Sequence, residues 1–232
     1  MPRNKTVVLS FFASALLICS SLPVLGADKS KDEETIRNAS TVLQAMVGSK
    51  DVPGSVLAKA DCIMVLPSVK KFAIGIGGSG GRGPMTCRMG SNFKGKWSPP
   101  AMYSIGGASA GLQIGGTATD YVLVILSTGG VAKVLNGKVK VGSDVTAAAG
   151  PGASAGNAVG GADILTYSRT SGLFAGVSLN GATLSPDADA NQRLYGKTVS
   201  ASEIVRTGDI TPTPAGESFA RLLDSKVPKH ME

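Results

Sequence analysis

The placement of glycine constrains this chain more than any other feature of its sequence. Of its 31 glycines, 25 lie between Gly75 and Gly181. From Phe72 onward they are interleaved with Ile74, Ile76, Tyr103, Ile105, Leu112 and Ile114 in approximate alternation. That pattern predicts short, twisted or bulged strands, with glycine permitting bends and close backbone approach. Cys62 to Leu66 is a compact apolar run closed by Pro67, which reads as a buried strand, and Tyr121 to Leu126 is the strongest strand signal in the chain. Further strands are expected at 163–169 and 173–179, and one or two helical turns at 130–135.

Helical patterns flank this middle. Ser30 to Glu33 fits a capping box, and Ile36, Ala39, Leu43, Met46 and Val47 follow on one helical face until Gly48. The stripe is read as core-facing, with a membrane surface as its alternative. A short helix is expected at 53–60, and helices again at 186–196 and 202–206. Thr211 to Pro214 reads as a linker to a short tail. The predicted fold class is α+β: a Gly-rich, mainly antiparallel, barrel-like sheet with flanking helices. The domain reading is a signal peptide at 1–26, a single domain at 27–208, and a Pro-containing linker and C-terminal tail at 209–232.

The signal assignment rests on Arg3 and Lys5 before an apolar stretch from Val7 to Ile18, with small residues near Gly26. An uncleaved anchor is the alternative reading, and Ser10, Ser14, Ser20, Ser21 and Pro23 weaken it. Cleavage would leave Cys62 and Cys87. An exported, oxidising compartment favours a disulfide between them, whereas a reducing one would leave two buried thiols.

The formal charge is +7, and it is unevenly spread. Residues 62–143 hold nine basic side chains against one acid, Asp120. The sequence therefore points to the Gly-rich middle as the face for an anionic partner, against the alternative of a scattered solvated surface.

Catalytic patterns fail on inspection. His230 is the sole histidine and sits in what reads as a frayed tail, so His-dependent nucleophile systems and zinc sites lack their ligands. Gly75 to Gly80 matches a dinucleotide loop, but Gly81 to Pro84 forbids the helix that such a loop must open. Gly90 to Lys96 resembles a phosphate loop until Trp97 replaces its Ser or Thr. Three G-x-S-x-G matches, at 77–81, 107–111 and 152–156, have no histidine partner. Asp187 and Asp189 are expected to cap a helix rather than to join Asp144 in a calcium or acid site. No catalytic residue, metal or cofactor is expected.

An ordered series of motifs resembles the SYLF domain family. It runs through 58–67 with Lys70 and Lys71, Gly77 to Gly83, Trp97 to Ala101, Gln113 to Gly116, Gly142 to Asp144, 148–151, Tyr167 to Gly176 and Leu179 to Ala182. The resemblance implies an exported bacterial member in the periplasm or cell envelope, membrane-associated, binding anionic and often phosphorylated lipid head groups. It implies actin binding only for eukaryotic members, so actin is an unexpected partner here; nucleic acid is not expected and protein partners are left open. The candidate head-group residues are Lys70, Lys71, Arg82, Arg88, Lys94, Lys96 and Trp97: cations for phosphate and an indole for the interface. Alternatively, Trp97 anchors the core and the lysines merely solubilise. The competing function is an envelope structural or protein-interaction domain without specific lipid binding.

Overall fold

The structure is a computed structural model that describes residues 25–74, 76–110, 115–141, 146–148, 162–174 and 181–230. The signal assignment falls almost wholly outside these residues, as do Asp144 and the third G-x-S-x-G match.

A nine-stranded sheet forms the middle: β1 (Cys62–Ile74), β2 (Ile76–Cys87), β3 (Ala101–Ala110), β4 (Gly115–Ile125), β5 (Val139–Lys140), β6 (Thr146–Ala148), β7 (Ile164–Thr170), β8 (Leu173–Phe174) and β9 (Thr183–Pro186). Their order is β5-β9-β3-β2-β1-β4-β7-β6, with β8 paired to β7. Every pairing is antiparallel except β6 with β7. The helices are α1 (Leu25–Gly48), α2 (Gly54–Leu57), α3 (Thr128–Leu135), α4 (Ala188–Tyr195), α5 (Ala201–Arg206) and α6 (Pro214–Lys226). The α+β class read from the sequence is correct.

The unbroken apolar runs have a simple cause: both faces of the central strands are covered. Cys62, Met64 and Leu66 of β1 join Tyr121, Leu123 and Ile125 of β4 in a core roofed by residues of α3 and α5. The intervening Ile63 and Val65, with Val122 and Val124, join the opposite core beneath α1, α2, α4 and α6. Gly80 opens no helix; it lies within β2, paired with Lys70 and Gly106.

Pro67 does not end β1. The strand carries one extra residue here: its pairing with β2 shifts between Met64 and Lys70, and with β4 between Leu66 and Val69. Pro67 has no N–H to leave unpaired, so it is tolerated in this bulge. Ser68 takes a φ of 49°, and its N–H donates to Asp120 Oδ1 at 2.8 Å. Nearby, a Cβ on Gly83 would sit 1.9 Å from the Val65 carbonyl oxygen.

Two helical expectations need correcting. Ser30 is no cap, because α1 already begins at Leu25 and Ser30 is an exposed residue within it. Its stripe is core-facing as read: Ile36, Ala39, Leu43 and Met46 are fully buried. The segment after 209 is no free tail either. Thr213 caps α6 by accepting from Gly216 N–H at 3.2 Å, Pro214 occupies the first turn, and Ala215, Phe219 and Leu223 bury one face against the α1 side of the sheet. Prolines placed here begin a helix rather than prevent one.

Two outcomes follow from this packing. Gly83→Ala should cost about 3 kcal/mol or more in urea denaturation, because its Cβ meets backbone, while Gly116→Ala, whose Cβ stays 3.9 Å from its nearest neighbour, should change stability little. All four tyrosines are pushed upward by burial: Tyr121 and Tyr167 to about 12, and Tyr103 and Tyr195 further. Raised phenol values mean stability that is complete below pH 10 and lost as pH climbs through 12. A 295 nm titration should therefore show almost no phenolate at pH 10.5 and cooperative appearance with unfolding; gradual ionisation centred near pH 10 would contradict this burial.

Candidate functional site

The strip from Lys70 to Lys96 is contiguous in sequence but not in space. β1 and β2 form a hairpin in which Cys62 faces Cys87 and Lys70 faces Gly80. Eight residues of strand, about 26 Å, separate these two rows. Lys70 and Lys71 thus lie at one end, while Arg88, Lys94, Lys96 and Trp97 gather at the other. Lys70 is exposed, and Lys71 lies 5.9 Å from the Tyr121 ring, its ammonium lowered by burial.

Arg82 is occupied by structure. It contacts Asp32 of α1 at 2.9 Å and Asp187 at 3.4 Å. Asp32 is completely buried and is also held by Arg193 of α4 at 2.7 Å. Asp187 caps α4 by accepting from Ala190 N–H at 3.0 Å, as the sequence indicated. The guanidinium of Arg82 is therefore committed to holding α1 and α4 over β2.

The other end is built on the Cys62–Cys87 bridge, whose Sγ atoms are bonded. The Cα atoms are 3.9 Å apart, shorter than the 4.4–6.8 Å usual for disulfides. These two residues face each other without exchanging hydrogen bonds, the closer kind of antiparallel pair. Cys87 N–H donates instead to Ser98 Oγ at 3.1 Å, and the next pair outward is joined by Arg88 N–H donating to the Asp61 carbonyl at 2.9 Å.

Arg88 and Trp97 close a loop by an isolated bridge, and Lys94 and Lys96 stand on that loop. Met89 N–H donates to the Lys96 carbonyl at 2.9 Å and Gly95 N–H to that of Met89 at 2.9 Å, which keeps the loop tight. Trp97 is buried, so it is a core anchor and not an interfacial side chain. The Arg88 guanidinium stacks 4.5 Å over its ring and donates to the Pro228 carbonyl. Burial lowers the Arg88 pKa, opposed by Asp224 and Asp61.

Sequence reasoning missed the third wall. Val227 to His230 folds back after α6, and His230 Nε2 lies 3.1 Å from Asp61 Oδ1. Burial raises the Asp61 carboxyl, with His230 the chief opposing influence. The histidine is docked, not frayed. Arg88, Lys94, Lys96, Lys229 and His230 then line a cavity of about 510 Å³ with Asp224 as its only acid. Four permanent cations thus face one carboxylate. Arg88 Nε and His230 Nδ1 are buried with no hydrogen-bond partner among the described residues. Such a cavity can accept an anion through charge-assisted hydrogen bonds. Among the described residues no cluster of three or more His, Cys, Asp or Glu could hold a metal, and no helix is long and apolar enough to cross a membrane.

Comparison with known proteins agrees with the resemblance read from the motifs. The Ysc84 family, described as "Las17-binding protein actin regulator", matches residues 106–226, and the chain belongs to this family of SYLF domains. It is similar to an SH3 domain-containing protein of Schizosaccharomyces pombe, 34% identical over 191 residues, covering 79% of this chain and 43% of that protein. LAS seventeen-binding protein 3 of Saccharomyces cerevisiae is 32% identical over 183 residues, 75% of this chain and 39% of the relative. The human SH3 domain-containing YSC84-like protein 1 is 32% identical over 212 residues, 89% and 60% respectively. The chain thus spans about two to three fifths of the length of these relatives.

The Arg82 contacts give a direct check. Arg82→Glu places a third carboxylate beside Asp32 and Asp187 and should destabilise the protein by on the order of 3 kcal/mol or more in urea denaturation. Lys70→Glu should be close to neutral; equal, small effects from both would remove Arg82 from its structural role.

Proposed function

We propose that this chain is a non-catalytic lipid-binding module of the cell envelope. In this reading it takes anionic, phosphorylated head groups in the pocket of Arg88, Lys94, Lys96, Lys229 and His230. The observation that carries the proposal is that pocket: four cations and one acid around about 510 Å³, with a buried guanidinium at its wall. Arginine and lysine donors in a partly desolvated recess match the charge and hydrogen-bonding capacity of a phosphate. Lys70 and Lys71, at the other end of the sheet, are outside this pocket. The sequence of residues 1–26 supports export, and with it an anionic membrane surface as the partner.

A protein-interaction domain is the second reading, favoured by the Las17-binding description of the family and the name of the yeast relative. Flotation separates the two. The protein should float with phosphatidylglycerol vesicles, fail to float with phosphatidylcholine vesicles, and lose affinity as salt rises. With each cation near an anionic surface contributing about 1 kcal/mol, Lys94→Glu combined with Lys96→Glu should weaken binding at least tenfold, and Lys70→Glu should leave most of it. Equal flotation with both vesicle types, or binding unchanged by the double reversal, would overturn the head-group proposal. No flotation at all would leave the interaction domain as the better reading.

A further inference from the structure

On the far side of the returning C-terminal segment lies a second recess of about 560 Å³. Val47, Val52, Pro53, Leu57 and Pro228 supply its apolar walls, and Lys50 and Lys226 stand at its rim. It sits where the end of α1, the start of α2 and the end of α6 converge. The two recesses are neighbours through one residue: Pro228 lines the apolar recess, and its carbonyl accepts from Arg88, which lines the basic one.

Both flanking lysines are exposed, so the rim of this recess is positive while its floor is hydrocarbon. A neutral apolar partner gains nothing from that rim, and a free inorganic anion gains nothing from that floor. A ligand with an anionic head and an attached chain uses both. The volume falls within the roughly 300–1,000 Å³ typical of small-molecule sites.

We infer that the recess of Val47, Val52, Pro53, Leu57 and Pro228 is an acyl-chain site for an anionic lipid whose phosphate occupies the adjoining basic pocket. The inference rests on the head-group reading and extends it: the module extracts or tilts one chain of its lipid rather than touching head groups alone. Gly54 at the lip is exposed, and a Cβ there would meet nothing within 4 Å. A large side chain at 54 can therefore fill the recess without disturbing the core.

Calorimetric titration of the full chain with inorganic phosphate and with butyl, hexyl and octyl phosphate, all below their micelle concentrations, tests the idea. Affinity should rise roughly two- to fourfold per added methylene, as expected for partial to full burial of each group. Octyl glucoside, with the same chain and no charge, should bind at least tenfold more weakly than octyl phosphate. Gly54→Phe should abolish the chain-length increment and leave the inorganic phosphate affinity intact. Val47→Ser, a milder change on the same wall, should reduce the increment, and unaltered thermal unfolding of either variant certifies its fold. Phosphate binding with no chain-length dependence, or an increment that survives both variants, overturns the acyl-chain site while leaving the head-group reading standing. An increment lost in Gly54→Phe, with no measurable affinity for inorganic phosphate and no effect of Lys94→Glu, supports the recess and instead removes the head-group assignment.

Discussion

A single buried carboxylate orders the helical layer of this protein. Asp32 belongs to the same α1 face as Ile36, Ala39, Leu43 and Met46, and like them it is completely buried. An ionised group can occupy such a position only when it is paired and hydrogen-bonded. Arg82 from β2 and Arg193 from α4 supply the pairing, and Arg82 reaches on to Asp187, the cap of α4. Sheet, first helix and fourth helix are therefore fixed in register by one point of charge. The apolar remainder of α1 then has a defined surface to cover, and α6 packs against α1 in turn. Apolar area is non-directional; the ion network supplies the direction that area lacks.

This constraint also explains what could be read from the sequence and what could not. Strands buried on both faces announce themselves as unbroken apolar runs, and 62–66 and 121–126 were legible for that reason. Asp187 was legible as a cap because a short acid after Ser185 and Pro186 has few other uses. Local patterns misled where tertiary contacts overrode them. The Ser30 to Glu33 box has the right spacing, yet those residues continue a helix that starts earlier. Pro67 ends most strands but here fills a bulge, because Asp120 on the neighbouring strand accepts the N–H of Ser68. At Thr213 and Pro214 the cap and first-turn proline of α6 were present and were outweighed by the reading of a proline-rich linker.

The candidate site was half legible. Charge segregation pointed to the region holding Arg88, Lys94 and Lys96, which line one cavity, but a linear strip conceals the fold of a hairpin, which sends Lys70 to the opposite end. Arg82 could not be separated from its neighbours without Asp32, fifty residues earlier in the chain. Lys229 and His230 reach the pocket only because α6 folds and returns the chain across the sheet end. No local signal in Val227 to His230 carries that information.

The disulfide lies beside this arrangement, and its position bears on the proposed binding. Asp61 and Arg88 are the immediate chain neighbours of Cys62 and Cys87, so the bridge holds together the two residues that anchor the returning segment. Asp61 holds His230 by its carboxylate, and Arg88 holds Pro228 by its guanidinium. One wall of the basic pocket is thereby tied covalently through β1 and β2 and non-covalently through the C-terminal segment. Lys94 and Lys96 complete it from a loop closed at its base by the Arg88–Trp97 pair. Long basic side chains ordinarily lose much rotamer freedom when they bind an anion. Here the guanidinium is already stacked and hydrogen-bonded, so in the proposed head-group reading a larger share of the interaction would remain as affinity. The proposed binding would require the pocket to keep its shape, and the pocket lies at the cross-linked end of the sheet rather than at the Gly-rich end, where Gly116, Thr117 and Ala118 are exposed.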